Sequence, residues 1–399
     1  MWEPTKQAAN KRLQSFVSKA GKIYAARRNI DAGAGQHANV SQLSPWIRHR
    51  LILEENVLAE VSAKHSFSSA EKYISEVFWR GYFKGWLEHR PQIWTWYKRN
   101  LTQQAQQLES DADLSRRYEA AIDGRTGIDC FDHWAEELVK TGYLHNHARM
   151  WFASIWIFTL RLPWELGADF FYRNLLDGDP ASNTCSWRWV AGLHTKGKSY
   201  IARPANIEDF TLGRFKPTGL AEQAIALEEP ELSVPTPPQF PSEDFPSDRY
   251  GLVFHDEDCA PETLALPNLP SAALALSDPS PRSVFSTASL ARDFTSNAVR
   301  EAARTFETDT GIQCVDCNDS NWSEILEDWV NSEELDALAT VRLPVGPTRK
   351  RLLNACSQLS IPLIEITRPY DRAVWPHASH GFFGLRKQIP GLLAELELC

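Results

Sequence analysis

What the 399-residue chain lacks narrows its class first. It has no apolar run of about 18 residues, so no membrane-spanning helix is expected, and its opening residues do not read as a signal peptide. The seven cysteines show no disulfide framework, which points to a reducing compartment and a cytoplasmic protein. Cys314-Val315-Asp316-Cys317 is the one CxxC. Neither a second pair nor histidines at matching spacing follow it, so no metal site is expected. There is no Gly-x-Gly-x-x-Gly fingerprint and no Walker-type phosphate loop. Up to Gly219, period-two strand patterns are nearly absent.

What is present is aromatic and unevenly charged. Of the 15 Trp, 12 fall at or before Trp189. Most must be core, yet such a surplus also suits stacking on flat rings or relaying electrons. The net charge of −9 hides a split, with residues 1–220 at net +6 and residues 221–399 at net −15. The first part admits a polyanionic partner that the second would repel.

The length predicts two domains. Residues 1–220 read as nearly all helix, with helical patterns before Arg28, over Ala70–Trp96 and over Cys130–Thr141. Residues 101–123 read as a polar helix or loop. Pro217, Pro230, Pro235, Pro237, Pro238, Pro241 and Pro246 mark an extended linker, centred on 221–248. Over 249–399 short β-like runs (Tyr250–His255, Ala272–Leu276, Gly311–Val315, Ala337–Leu343, Ile361–Ile366) alternate with helical segments. That alternation predicts a smaller doubly wound α/β domain with a mostly parallel sheet. His255-Asp256-Glu257-Asp258 would end its first strand, where such sheets place ligands. A metal there is one reading, and a solvated acidic surface is the preferred one.

Two phrases carry the most chemistry. In Leu144-His145-Asn146-His147-Ala148-Arg149-Met150, the residues Asn146, Arg149 and Met150 stand at i, i+3 and i+4, one helix face. In Asp177-Gly178-Asp179-Pro180, a turn precedes a proline suited to a first helical turn. A cation on one helix and two carboxylates at the start of another could grip a polar heterocycle. On spacing alone, a charged pair pinning two core helices is the first reading. Glu76, Trp79 and Arg80 repeat the i, i+3, i+4 spacing. Ser41 and Ser44 precede a helix, where they suit either phosphate binding or ordinary capping.

Taken together, Ser-x-Leu-Ser-Pro at 41–45, Ser75-Glu76-Val77-Phe78-Trp79-Arg80, Gly124-Arg125-Thr126-Gly127, the His-Asn-His-Ala-Arg-Met phrase and the Asp-Gly-Asp…Asn…Trp-x-Trp phrase closely resemble the flavin-binding domain of the DNA photolyase/cryptochrome family, from about Tyr24 to about Phe215. The later part is similar to the family's α/β domain, placed after the helical domain instead of before it, as in a circular permutation.

The resemblance implies bound FAD. Ser41, Leu43 and Ser44 would line its pyrophosphate, with Tyr24 and Tyr73 near. Arg80, Asn146, Arg149, Asp177, Asp179 and Asn183 would surround the flavin, Asn183 facing its reactive nitrogen. Trp79 and Trp189 would flank a flipped-out pyrimidine dimer, Glu76 would hydrogen-bond or protonate it, Met150 would pack against it, and Arg28 would reach the DNA. Asn146 and Met150 stand where enzymes for (6-4) lesions carry two His, which favours cyclobutane dimers. Trp187 and Trp164 match two members of an electron relay. No Trp stands at the third place, near Asp111, where surface residues such as Tyr118 or Trp151 could substitute. Arg48 and Arg50 could add phosphate contacts. An antenna chromophore is doubtful, because acids replace the basic residues usual after the first strand. The expected activity is thus light-driven repair of cyclobutane dimers in UV-damaged DNA by a monomeric lyase, with Glu76 and Asn183 as catalytic residues. The alternatives are a cryptochrome-type blue-light receptor and a helical interaction protein without flavin.

Overall fold

A computed structural model describes residues 2–398. The first part holds helices α1 (Lys6–Val17), α2 (Lys22–Arg27), α3 (Ser44–Arg48), α4 (Glu54–Lys64), α5 (Phe67–Glu88), α6 (Gln92–Ser110), α7 (Ala112–Ile122), α8 (Asp129–Thr141), α9 (Asn146–Ser154), α10 (Trp164–Asn174), α11 (Trp187–Ala191) and α12 (Pro204–Phe210). Two π-helical turns interrupt it, Ile155–Thr159 after α9 and Pro180–Cys185 before α11. The helical pattern over 70–96 is realised as two helices, because Pro91 has no N–H to continue α5 and instead caps α6. The polar stretch 101–123 is helical too. Asp111 restarts it by accepting from the amides of Asp113 and Leu114 at 3.1 and 3.0 Å.

α8 shows how pattern becomes packing. Cys130, Phe131, Trp134, Ala135 and Leu138 form its buried stripe. Gly142 ends it at φ +67, where a Cβ would stand 2.7 Å from Leu176 Cγ, so only glycine suits both the backbone and the neighbour.

The later part holds β1 (Tyr250–His255), β2 (Ala272–Leu276), α13 (Ser289–Thr310), β3 (Cys314–Cys317), α14 (Trp322–Ser332), β4 (Ala337–Val341), α15 (Pro347–Cys356), β5 (Leu363–Ile366), α16 (Pro369–Val374) and α17 (Phe382–Glu395). All four pairings are parallel and the strand order is β3-β2-β1-β4-β5. Alternate residues feed opposite faces. Leu252, Phe254, Ala273 and Ala275 join the core shared with α13 and the helical part, whereas Val253, Leu274 and Leu276 pack with Trp322, Leu326 and Trp329 of α14. β1 and β2, covered on both faces, are fully buried runs, apolar but for His255. The strand expected over Gly311–Val315 lies three residues later. Gly311 is the left-handed cap of α13, so the chain cannot extend until after it. α16, made possible by Pro369 at its first turn, has no counterpart in the sequence expectation. Residues 221–248 form no helix or strand and touch both parts. Thr236 N donates to His89 O at 3.1 Å, and Arg372 pairs with Glu243.

Candidate functional site

α5, α9 and the turn Asp177–Asp179 meet in a buried charged cluster. Arg149 leaves α9 as the spacing predicts, and its Nη1 and Nη2 donate to Asp177 Oδ2 and Oδ1 at 2.9 and 3.1 Å. Its Nε donates to Leu144 O at 2.9 Å, which fixes the fork. Arg80 extends from α5 so that its two terminal nitrogens each lie 3.9 Å from one carboxylate, Asp177 Oδ2 and Asp179 Oδ2. Asp179 caps the second π-turn, its Oδ1 accepting from the amides of Ala181 and Ser182 at 2.8 and 2.6 Å. The amide of Asn183 is satisfied with its nitrogen donating to Asp177 O at 2.8 Å and its oxygen accepting from Arg149 Nη1 at 2.6 Å.

Burial opposes ionisation of Asp177, but Arg149, Arg80 and Ser44 outweigh it and hold its carboxyl below the usual range. Asp179 is likewise held low, with Lys84, Arg48 and Arg80 overcoming burial. Both are anions at neutral pH. Three buried atoms around them have no hydrogen-bond partner: Arg80 Nη1, Asp179 Oδ2 and Ser182 Oγ. A donor, a carboxylate acceptor and a hydroxyl left open together fit a ligand ring bearing N–H and C=O groups.

Tyr24 and Tyr73 are buried edge to face, centroids 5.0 Å apart. Burial pushes the Tyr73 phenol up to about 12, with Ser41 and Arg12 pulling it the other way. Leu43 is buried and precedes α3, a helix of five residues. Asn146, in contrast, is exposed on the first turn of α9.

The residues expected on the substrate side are distributed as follows. Glu76 is paired with Arg28. Burial nonetheless raises its carboxyl above the usual range, against the lowering by Arg28, as suits a proton donor. Met150 is half-buried on α9. Trp189 is half-buried and stacks on Tyr200 at 5.7 Å. Trp79 is covered: the Phe382 ring of α17 lies 3.7 Å from it at an angle of 13°.

Trp187 is buried, with Phe171, Trp156 and Phe152 at 5.0, 6.3 and 6.4 Å. Trp164 has Tyr97 at 5.9 Å. Trp156 in turn has Tyr118 at 6.1 Å, so Trp187, Trp156 and Tyr118 form an aromatic line that the spacing of motifs did not single out. Tyr118 and Trp151 are buried rather than on the surface. Trp151 stacks on His147 and Trp134, away from this line.

The acidic phrase after β1 corrects the sequence reading. Asp256, Glu257 and Asp258 are buried against the helical part. Arg48 donates from Nε to Gly178 O and from Nη2 to Glu257 Oε1, both at 2.7 Å. Arg50 Nη2 spans both oxygens of Asp371 at 2.7 and 2.8 Å, and its Nη1 reaches Asp258 Oδ2 at 3.3 Å. Arg368 grips Asp258 through Nε and Nη2 at 2.9 and 2.7 Å. Arg48 and Arg50 are therefore interdomain locks, not the phosphate contacts expected of them. Their carboxylate partners in the α/β part lie some 200 residues or more away in sequence, which is why no local pattern revealed them.

Residues 73–215 match the family model described as the FAD binding domain of DNA photolyase. Residues 73–215 form a FAD-binding domain of the DNA photolyase family. The match supports FAD as the cofactor. Deoxyribodipyrimidine photo-lyases of Neurospora crassa and Thermus thermophilus are 30% and 32% identical to the chain over 206 and 199 residues. Each alignment spans 50% of this chain but only 33% and 45% of the relative, so the chain covers less than half of either photolyase. A crystal structure of a bacterial class III photolyase from Agrobacterium tumefaciens aligns with 53% of this chain and 43% of its own, at 27% identity and a TM-score of 0.44. No helix among the described residues is long and apolar enough to cross a membrane.

Proposed function

We propose that the chain is a deoxyribodipyrimidine photolyase that repairs cyclobutane pyrimidine dimers in UV-damaged DNA, acting as a cytoplasmic monomer. In this reading residues 1–220 are the FAD-binding domain, 221–248 the linker and 249–399 the α/β domain, in permuted order. The observation that carries it is the cluster Arg80, Arg149, Asp177, Asp179 and Asn183, where buried polar atoms are left without a hydrogen-bond partner. Bound FAD, once reduced and light-excited, would supply the electron that splits the dimer.

The chain's own residues have separable roles. Asp177 keeps Arg149 in place, and the two hold the Asn183 amide between them. Asp179 Oδ2 and Arg80 Nη1, 3.9 Å apart and without a hydrogen-bond partner, would serve as acceptor and donor for the ring. Glu76, its carboxyl raised above the usual range by burial, would hydrogen-bond or protonate the substrate. Met150 and Trp189 offer apolar surface to it. The experiment is illumination of the reduced, FAD-loaded chain with dimer-containing DNA. Loss of dimers is expected, and persistence of dimers with FAD bound and reducible overturns the repair claim.

Two observations favour a second reading, a cryptochrome-type light receptor. Phe382 occupies a face of Trp79, and Arg28 occupies Glu76. In that reading the light response survives while dimers persist under the same illumination.

A further inference from the structure

The cluster does not end at Asp179. Lys84 stands one helical turn beyond Arg80 on α5, at i+4 and so on the same face. Its side chain is buried, and Nζ lies 3.8 Å from Asp179 Oδ2 and 3.7 Å from Glu257 Oε2. Those two oxygens have no hydrogen-bond partner. The other oxygen of Glu257 is held by Arg48, whose Nε also stands 3.9 Å from Asp179 Oδ2. A buried lysine thus bridges a carboxylate of the cofactor site and a carboxylate at the end of β1.

We propose that Lys84 is a positioning residue that ties Asp179 to Glu257, so that the α/β domain sets the charge around the cofactor. The proposal rests on the reading of FAD at this site. Buried charges persist only when mutually compensated, and in a low-dielectric interior each is felt strongly by its neighbours. Removing Lys84 takes away one of the cations shared by the two carboxylates, leaving Arg48 alone between them and the surroundings of the ring more negative. Neutralising Glu257 instead leaves the full lysine charge acting on Asp179 and the ring. The two changes therefore act on the cofactor with opposite sign, which a merely structural contact would not do.

The test is the midpoint potential of FAD bound to the full chain. Lys84→Met is expected to lower it and Glu257→Gln to raise it, each by a tenfold change in the two-electron equilibrium, about 30 mV. The double variant returns toward the original value. Lys140→Met, which removes an exposed cation paired with Glu136, leaves it unchanged. Potentials of the two single variants that do not move, or that move in one direction together, overturn the proposal. If the unaltered chain takes up no FAD, the cofactor reading fails on its own. The tie is then read on the apo chain by a double-mutant cycle of Lys84→Met and Glu257→Gln in urea unfolding. A coupling between them is expected, and additive effects overturn it.

Discussion

Phe382 lies flat on Trp79, ring centroids 3.7 Å apart and planes 13° apart. α17, which carries Phe382, is further fastened to α5 by Arg386, whose Nη2 donates to Glu71 at 2.6 Å. The stacked pair therefore joins the end of the α/β part to the helix that bears Glu76 and Arg80. Phe382→Leu keeps much of the volume but removes the stacked ring. It is expected to strengthen binding of dimer-containing DNA several-fold, measured by fluorescence anisotropy against undamaged DNA. Unchanged affinity would mean that Trp79 does not meet the lesion.

A second expectation concerns the line Trp187, Trp156, Tyr118. Trp156→Phe should slow photoreduction of bound FAD more than Trp164→Phe does, because Trp156 stands beside both Trp187 and Tyr118. Flash-photolysis traces of the two variants decide the matter. A larger loss with Trp164→Phe would return the relay to the route implied by the family resemblance.

Asp177→Asn breaks a buried bidentate ion pair and leaves Arg149 without its counter-charge. The expected loss is about 3–5 kcal/mol in apo stability, read as a fall in the urea midpoint at pH 7. FAD uptake should fall with it, because Arg149, which donates to the Asn183 amide, loses the carboxylate that holds it.

Buried histidines give a pH expectation. Burial, aided by Arg48, pushes His49 down to about 3, and burial pushes His145 down to about 3. Both are neutral in the fold but take up a proton near pH 6.5 when unfolded. The unfolded state then binds more protons, so this contribution is complete above about pH 6.5 and declines as the pH falls toward 3. Thermal melts should drop across that window. His49→Gln should flatten the drop. An equal drop in the variant would assign it to other groups.

The sequence made the local relationships legible and hid the distant ones. The one-turn spacing of Asn146, Arg149 and Met150 placed Arg149 correctly, because an α-helix repeats whatever surrounds it. The Asp177–Pro180 turn was legible for the same reason, as Asp179 caps its own next residues. The π-turn that follows was not, since a wider turn leaves no signature in residue type. The burial of Asp256–Asp258 was misread because acids announce solvent unless their cations are known. Those cations, Arg48 and Arg50, sit in a segment whose local motif suggested phosphate. Lys84 and Phe382 make contacts across the two parts, to Glu257 and Trp79, and no window of sequence contains both members of either contact.

The extended segment 221–248 has a consequence of its own. It takes no part in the locks formed by Arg48 and Arg50 across the two parts, and forms no helix or strand. A protease cut within it should therefore yield two fragments that stay associated, held by those buried pairs and by the apolar core they share. The tether sets which half is made first on the ribosome, while the fit between the halves is written in side chains that would meet in either order.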